Sequence, residues 1–297
     1  MLNRFLFLTT IFSRNLVRFI PRFLKNWLIL GIAKLFFAFD RNHREIVYRN
    51  LEFFLGDHFN KAQRDAIARG CFYRYGRYVV DFVENTGRDK AALSQLVRAV
   101  NDEPLRALLA QGKKVISVTG HFGNWELIGQ YISTHYRPVT GIGRKLNNSP
   151  LLTMELDRYR RQYGIEILPR KGAVRGVAKA IKSGRLPGLL LDQSTKEGVK
   201  VRFFGRELTW IDTAARLAKQ FDAAIVPAFI TTDDFERYTI TFNDPVFPDP
   251  ALEREADVAR LAQAEASALQ AAILKNPEEY FWFHKRMKHD IQGFYEG

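Results

Sequence analysis

From Lys113 onward the apolar rhythm changes, and that change constrains the fold more than any other feature. Short β-rich runs (V-I-S-V-T, P-V-T-G-I-G, I-E-I-L, P-G-L-L-L, A-A-I-V-P-A-F-I and Y-T-I-T-F) alternate with stretches of helical period near 126–134, 149–163, 172–183 and 211–221. Strand–helix alternation of this kind specifies an α/β class: a mixed, mostly parallel sheet flanked by helices on its faces. Before Lys113 the pattern is helical. D-R-N-H-R-E-I-V-Y-R-N-L-E-F-F-L has 3.6-type spacing, Asn60 is placed to cap a long helix through Phe82, and two shorter helices follow near Lys90–Val97 and Glu103–Ala110. A last helix runs through D-V-A-R-L-A-Q-A-E-A-S-A-L-Q-A-A-I-L. No Gly/Ser- or Pro-rich linker divides the chain, so the expected organisation is an N-terminal segment over 1–40 and a single domain over 41–297.

The N-terminal segment is distinct in composition. Its first 39 residues contain no acid, and set Arg4, Arg14, Arg18, Arg22, Lys25 and Lys34 among Phe, Leu, Ile and Trp. Arg14, Arg18, Arg22 and Lys25 fall along one side of a helix, which Pro21 would split in two. No apolar run reaches the 18 or more residues of a confident membrane span, although a short span over Trp27 to Phe39 is an alternative, with Lys34 snorkelling. The segment suits a membrane interface, its apolar side chains in the acyl boundary and its cations on anionic headgroups. A formal net charge of +13 for the whole chain adds to the expectation of an anionic partner. Cys71 is the single cysteine, which excludes an intramolecular disulfide and a multi-cysteine metal site.

The first strand after Lys113 leads into G-H-F-G-N-W-E, residues 120–126. His121 and Glu126 stand five apart, an interval that six histidines and 32 acids supply about 0.6 times by chance. On a continuous helix the two would sit roughly 140° apart and could not meet. A strand ending before Gly120, a turn at Gly120 and Gly123, and a helix capped by Asn124 would let them touch. His121 would then lie beyond the carboxyl end of a strand, where open α/β sheets bind ligands. A carboxylate on one imidazole nitrogen fixes the tautomer and leaves the other to take a proton from a substrate hydroxyl, while N–H groups of the new helix face an oxyanion or phosphate.

G-H-F-G-N-W-E resembles the signature of the bacterial lipid A biosynthesis (lauroyl/myristoyl) acyltransferases, within the wider glycerolipid and lysophospholipid acyltransferase superfamily. Further stations are similar and come in order: G-R-K-L-N-N-S-P-L-L (143–152), L-L-L-D-Q-S (189–194), V-R-F-F-G-R (201–206), T-A-A-R-L-A (213–218), I-V-P-A-F (225–229) and P-E-E-Y-F-W-F-H-K-R-M-K (277–288). Together they cover about 121 to 288. The resemblance implies a glycerolipid-acyltransferase-like fold and an O-acyltransferase in which His121 is the general base and Glu126 orients it. It also implies acyl carrier protein thioester as acyl donor, a lipid A precursor as acceptor, and residence at the cytoplasmic face of the bacterial inner membrane. No metal and no nucleotide cofactor is implied.

Further substrate-binding candidates follow from these stations. Arg144 offers a forked donor for a phosphate or carbonyl, and Arg158, Arg160 and Arg161 share one helix with few compensating acids nearby. Asp192, at the end of P-G-L-L-L-D on the same sheet edge as His121, either orients substrate or holds a backbone turn. Asn124 lies at the helix start, and Phe204 is assigned to an acyl or substrate pocket wall. His284 and His289 lack further ligands for a metal. Rival readings are the same chemistry on a lysophospholipid, another glycolipid or an amino-acid lipid, and a non-catalytic basic membrane-binding protein. Nucleic acid is not expected, because no recognised binding module accompanies the charge.

Overall fold

The structure is a computed structural model that describes residues 20–85, 88–143 and 150–296. Three helices come first: α1 (Arg22–Phe39), α2 (Arg41–Leu55) and α3 (Lys61–Asn85). Asn60 caps α3 as expected, and reciprocally. Its side chain accepts from the Gln63 amide at 3.0 Å while the Gln63 side chain accepts from the Asn60 amide at 2.9 Å. Then follow α4 (Lys90–Leu96), β1 (Val97–Val100), α5 (Glu103–Ala110), β2 (Lys114–Thr119), α6 (Trp125–His135), β3 (Val139–Gly143), α7 (Pro150–Gln162), β4 (Glu166–Pro169), α8 (Ala173–Lys182) and β5 (Leu186–Leu190). A hairpin of β6 (Val199–Phe203) and β7 (Arg206–Trp210) precedes α9 (Thr213–Phe221), β8 (Ala223–Thr231), β9 (Tyr238–Phe242) and α10 (Arg254–Lys275).

Seven strands form one sheet in the order β1-β9-β8-β2-β5-β3-β4. Every pairing is parallel except β8 with β9. The mixed, mostly parallel α/β class read from the sequence is therefore observed. Both faces are buried, which is why the central strands are mostly apolar, with Ser117 of β2 a buried polar exception. Along β8, Ala223, Ile225 and Phe229 face one core with α2, α8, α9 and α10, while Ala224, Val226, Ala228 and Ile230 face the other with α4, α5, α6 and α7. Cys71 is buried on α3 in the first of these cores.

Two elements escaped the sequence reading. Val97 starts a strand rather than ending a helix, because β1 completes the sheet edge beside β9. V-R-F-F-G-R forms a hairpin with Phe204 and Gly205 as its two turn residues, both at positive φ, the backbone a tight two-residue β-turn requires.

Helix α1 packs against α3. Ile29 and Ala33 are buried, and Arg77 of α3 donates to Asn26 at 2.9 Å while also pairing with Asp81 at 2.8 Å. Lys25 pairs with Glu84. Phe23, Trp27, Ile32, Leu35, Phe36 and Phe39 of α1 are exposed to solvent. Among the described residues no helix is long and apolar enough to cross a membrane, so the short span over Trp27 to Phe39 is not supported. Residues 1–19 of the basic segment, with Arg4, Arg14 and Arg18, lie outside the described residues.

Candidate active site

Strand β2 ends at Thr119, and the chain turns through Gly120–Asn124 into α6. Two glycines make the turn. Gly123 has φ +58°, and a Cβ there would stand 2.0 Å from the Ile230 carbonyl oxygen. At Gly120 a Cβ would meet the Leu269 side chain at 2.8 Å and the Asp192 carboxyl carbon at 3.4 Å. Without side chains at these positions, the loop can settle onto β8, α10 and Asp192.

Register then builds the central pair. In the β2–β5 ladder, Thr119 lies opposite Leu190. Two residues beyond each strand end come His121 and Asp192, neighbours because parallel strands lie about 4.8 Å apart. Asp192 is fully buried and holds His121 twice: its Oδ1 lies 2.8 Å from the ring Nδ1 and its Oδ2 accepts the His121 backbone N–H at 2.9 Å. Burial alone would raise this carboxyl, but the charge and hydrogen bonds of His121 hold it well below the ordinary carboxylate range. A carboxylate only accepts, so the ring proton sits on Nδ1 and the lone pair on Nε2.

The expected His121–Glu126 pair is not what the structure shows. Glu126, on the first turn of α6, accepts from Arg160 of α7 at both oxygens, 2.6 Å to Nη2 and 3.2 Å to Nε. A forked guanidinium satisfies both oxygens of one carboxylate at once, which draws Glu126 away from the imidazole. Asp192, not Glu126, meets the His121 imidazole, and through its contact with the His121 backbone N–H it also holds the turn, one of the two readings given to it above.

A segment from the far end of the chain closes the other side. After a 3-10 turn over Pro277–Glu279, Tyr280 bridges Phe122 in antiparallel fashion, the Phe281 amide donates to the His121 carbonyl at 2.8 Å, and the Gly123 amide donates to the Glu279 carbonyl at 2.9 Å. Three rings thereby surround the His121 imidazole: Trp125 at 5.1 Å, Phe281 at 6.3 Å and His284 at 4.5 Å between centroids. Burial, His121 and Arg170 together push His284 down to about 4, so it is neutral near pH 7. Beneath the segment, the buried Glu279 carboxyl meets Arg74 at 2.7 Å, the Tyr78 hydroxyl and the Thr232 amide. Asn50 of α2 donates from above to the carbonyls of Trp282 at 2.7 Å and His284 at 2.8 Å.

The remaining candidates divide. Arg160 reaches the site through Glu126, whereas Arg158 and Arg161 are exposed on α7. Arg144 lies outside the described residues. Asn124 precedes α6 without a side-chain cap, and its amide is buried beside Tyr238 with Nδ2 unpartnered. Phe204 is a turn residue of the β6–β7 hairpin. It is buried at the hairpin turn against Phe54 and Phe203, with ring centroids at 5.9 and 4.7 Å. Gln193, His284, Trp125 and Phe281 were missed. Register pairing of the two strand ends could have found the His121–Asp192 pair. His284 lies in the quoted station 277–288, but its place beside His121, 163 positions upstream, is set only by the fold.

Fold and site together define a mixed α/β protein with a carboxylate-oriented imidazole at the carboxyl edge of its sheet, the arrangement of a general-base site. The chain matches the bacterial lipid A biosynthesis acyltransferases over residues 1–289, and it belongs to that family. It is similar to the lipid A biosynthesis lauroyltransferase of Escherichia coli K12, 24% identical over 268 residues, or 89% of this chain and 85% of that one. It is also similar to the phosphatidylinositol mannoside acyltransferase of Mycobacterium tuberculosis, 26% identical over 229 residues, covering 73% and 69% of the two chains. The protein of that name from Mycolicibacterium smegmatis is 26% identical over 168 residues, and the match spans about half (55%) of its length. Among solved structures, the 1-acyl-sn-glycerophosphate acyltransferase PlsC of Thermotoga maritima aligns with a TM-score of 0.39 at 15% identity, covering 84% of this chain and 98% of that one.

Proposed function

We propose that this chain is an O-acyltransferase that moves a fatty acyl group from acyl carrier protein thioester to a hydroxyl of a lipid A precursor at the cytoplasmic face of the inner membrane. The observation that carries the reading is the Nδ1 contact between His121 and the buried Asp192, which leaves Nε2 free of a proton and able to accept one. The acceptor hydroxyl gives its proton to Nε2 and attacks the thioester carbonyl directly, so no covalent acyl-enzyme is needed. Asp192 orients the base and supports its charge while the proton is held. Glu126 acts one step removed, by fixing the guanidinium of Arg160, whose remaining donors suit a phosphate or carbonyl of the substrates. The exposed apolar face of α1 and the net charge of +13 support attachment to an anionic bilayer.

A second acceptor is supported by the mannoside acyltransferase relatives: a hydroxyl on another anionic glycolipid. Both are tested by incubating the purified chain with acyl carrier protein thioester and either acceptor, and weighing the lipid product. An added acyl ester on the lipid A precursor, lost in His121→Ala, is the expected result. Transfer to the mannoside alone moves the acceptor assignment, and transfer to neither overturns the proposal.

A further inference from the structure

Gln193 follows Asp192 at the end of β5 and touches the one imidazole nitrogen that the chemistry needs. Its side-chain nitrogen lies 3.4 Å from His121 Nε2 and 3.5 Å from His284 Nε2, while its oxygen accepts from the Arg170 guanidinium. Amide orientation is fixed by its partners. A guanidinium only donates, so the atom facing Arg170 is the carbonyl oxygen and the NH2 group faces the two histidines. Both Nε2 atoms therefore present lone pairs, the state that Asp192 independently imposes on His121. Contacts of 3.4 and 3.5 Å are longer than the usual 2.9–3.0 Å of N–H···O bonds, and are correspondingly easy to exchange.

We infer that Gln193 is a catalytic residue: its NH2 lies where the acceptor hydroxyl must meet His121 Nε2, and during transfer it donates to the oxygen of the thioester carbonyl. The inference rests on the acyltransferase reading above. An alcohol taking the Nε2 lone pair must displace the amide, which stays close because Arg170 holds its oxygen and His284 its second N–H. Attack then proceeds with a simple balance. The alcohol oxygen bonds the carbonyl carbon, its proton moves to His121 Nε2, and the carbonyl π pair becomes an oxyanion. A donor tethered beside Nε2 is within reach of that oxygen, and a donor aimed at developing charge contributes most in the transition state. When the carbonyl reforms, the C–S bond breaks, and the departing thiolate takes the proton from His121. His284 suits its part because it is held neutral: a protonated ring would repel both the amide donors and the imidazolium of His121.

The test is steady-state transfer by Gln193→Leu, Gln193→Glu and Arg170→Ala beside His121→Ala, each checked for an unchanged melting transition. Gln193→Leu is expected to lower kcat about 10²- to 10³-fold with little change in acceptor KM. Gln193→Glu is expected to lose as much and to move the acidic limb of the pH–rate profile upward, since a carboxylate against Nε2 favours the imidazolium. Arg170→Ala, a positioning change, should cost about tenfold, recovered in part by Arg170→Lys. Should Gln193→Leu not fold, Gln193→Asn, one methylene shorter, carries the same expectation. A kcat within threefold of the parent enzyme, or a loss confined to KM, overturns the assignment while leaving the base at His121 intact. Full activity in His121→Ala would instead overturn the acyltransferase mechanism and this inference with it.

Discussion

Asp192 grips His121 at two points, the ring Nδ1 at 2.8 Å and the backbone N–H at 2.9 Å, using a different carboxylate oxygen for each. Both of these partners are donors. An asparagine in its place has only one accepting oxygen. The backbone N–H cannot change, so that oxygen is drawn to it and the NH2 meets the ring, forcing the imidazole proton onto Nε2. Asp192→Asn is therefore expected to lower kcat about 10³- to 10⁴-fold, the scale on which a wrong tautomer disables an oriented imidazole. Assays of acyl transfer across pH 4 to 9 check a second consequence. Asp192 stays ionised throughout, because His121 holds it well below the ordinary carboxylate range, so no limb of the profile should belong to it.

Glu126 and Arg160 form a bidentate pair, and the imidazole is not part of it. If Glu126 acts by holding Arg160, removing either loses the same function. Glu126→Ala and Arg160→Ala are each expected to lower kcat/KM about 10- to 100-fold, and the double variant should be no worse than the worse single one. The readout is the coupling energy of that double-mutant cycle, expected at about 1–3 kcal/mol. Multiplying losses would return Glu126 to a direct role on His121.

Much of this site was legible, and the part that was not has a physical cause. Strand β2, the glycine turn and α6 were all readable from local period and turn chemistry, because each depends on residues a few positions apart. The His121–Glu126 interval was then given a partner by sequence proximity. In the fold, the Glu126 carboxylate finds a stronger, two-pronged partner on α7, and the imidazole finds Asp192 through strand register. Register between β2 and β5 is a non-local property, set by which strand inserts beside which, and β5 stands between β2 and β3 although β3 and β4 both precede it in the chain. The setting of Phe204 was hidden for a related reason. A phenylalanine before glycine reads as a pocket wall when the hairpin of β6 and β7 is not recognised, and as a buried turn residue when it is.

Glu279 gives the closing segment a pH dependence with a definite sign. Its carboxyl is buried under the Phe122–Tyr280 bridge, and burial raises it to about 7 against the opposing pull of Arg74 and Tyr78. An acid whose folded value lies above its unfolded value of 4.5 contributes stability that is complete below pH 4.5 and is lost as pH rises to about 7. His284 runs the other way. Its folded value of about 4 lies below the unfolded 6.5, so its contribution is complete above pH 6.5 and is lost as pH falls toward 4. Glu279→Gln should therefore flatten the loss of stability between pH 4.5 and 7, measured by urea unfolding across that range. Arg74→Ala, which strands a buried carboxyl, should destabilise by about 3–5 kcal/mol.

Helix α1 carries both buried and exposed apolar residues, and substitutions can tell the two sets apart. Ile29 and Ala33 are buried toward α3, whereas Trp27 and Phe39 are 72% and 78% exposed. Exposed aromatic side chains gain nothing from the fold around them, but each would contribute about 1.5–3 kcal/mol on entering an apolar phase. Trp27→Asp and Phe39→Asp are thus expected to leave the melting transition unchanged and to weaken sedimentation with anionic vesicles at least tenfold each. Ile29→Asp should instead lower the melting temperature, because it places a charge against α3. Raised salt should weaken vesicle binding by the parent chain, since part of the attraction is between cations and headgroups. If the two aspartate variants sediment with vesicles as the parent does, α1 is not the attachment surface.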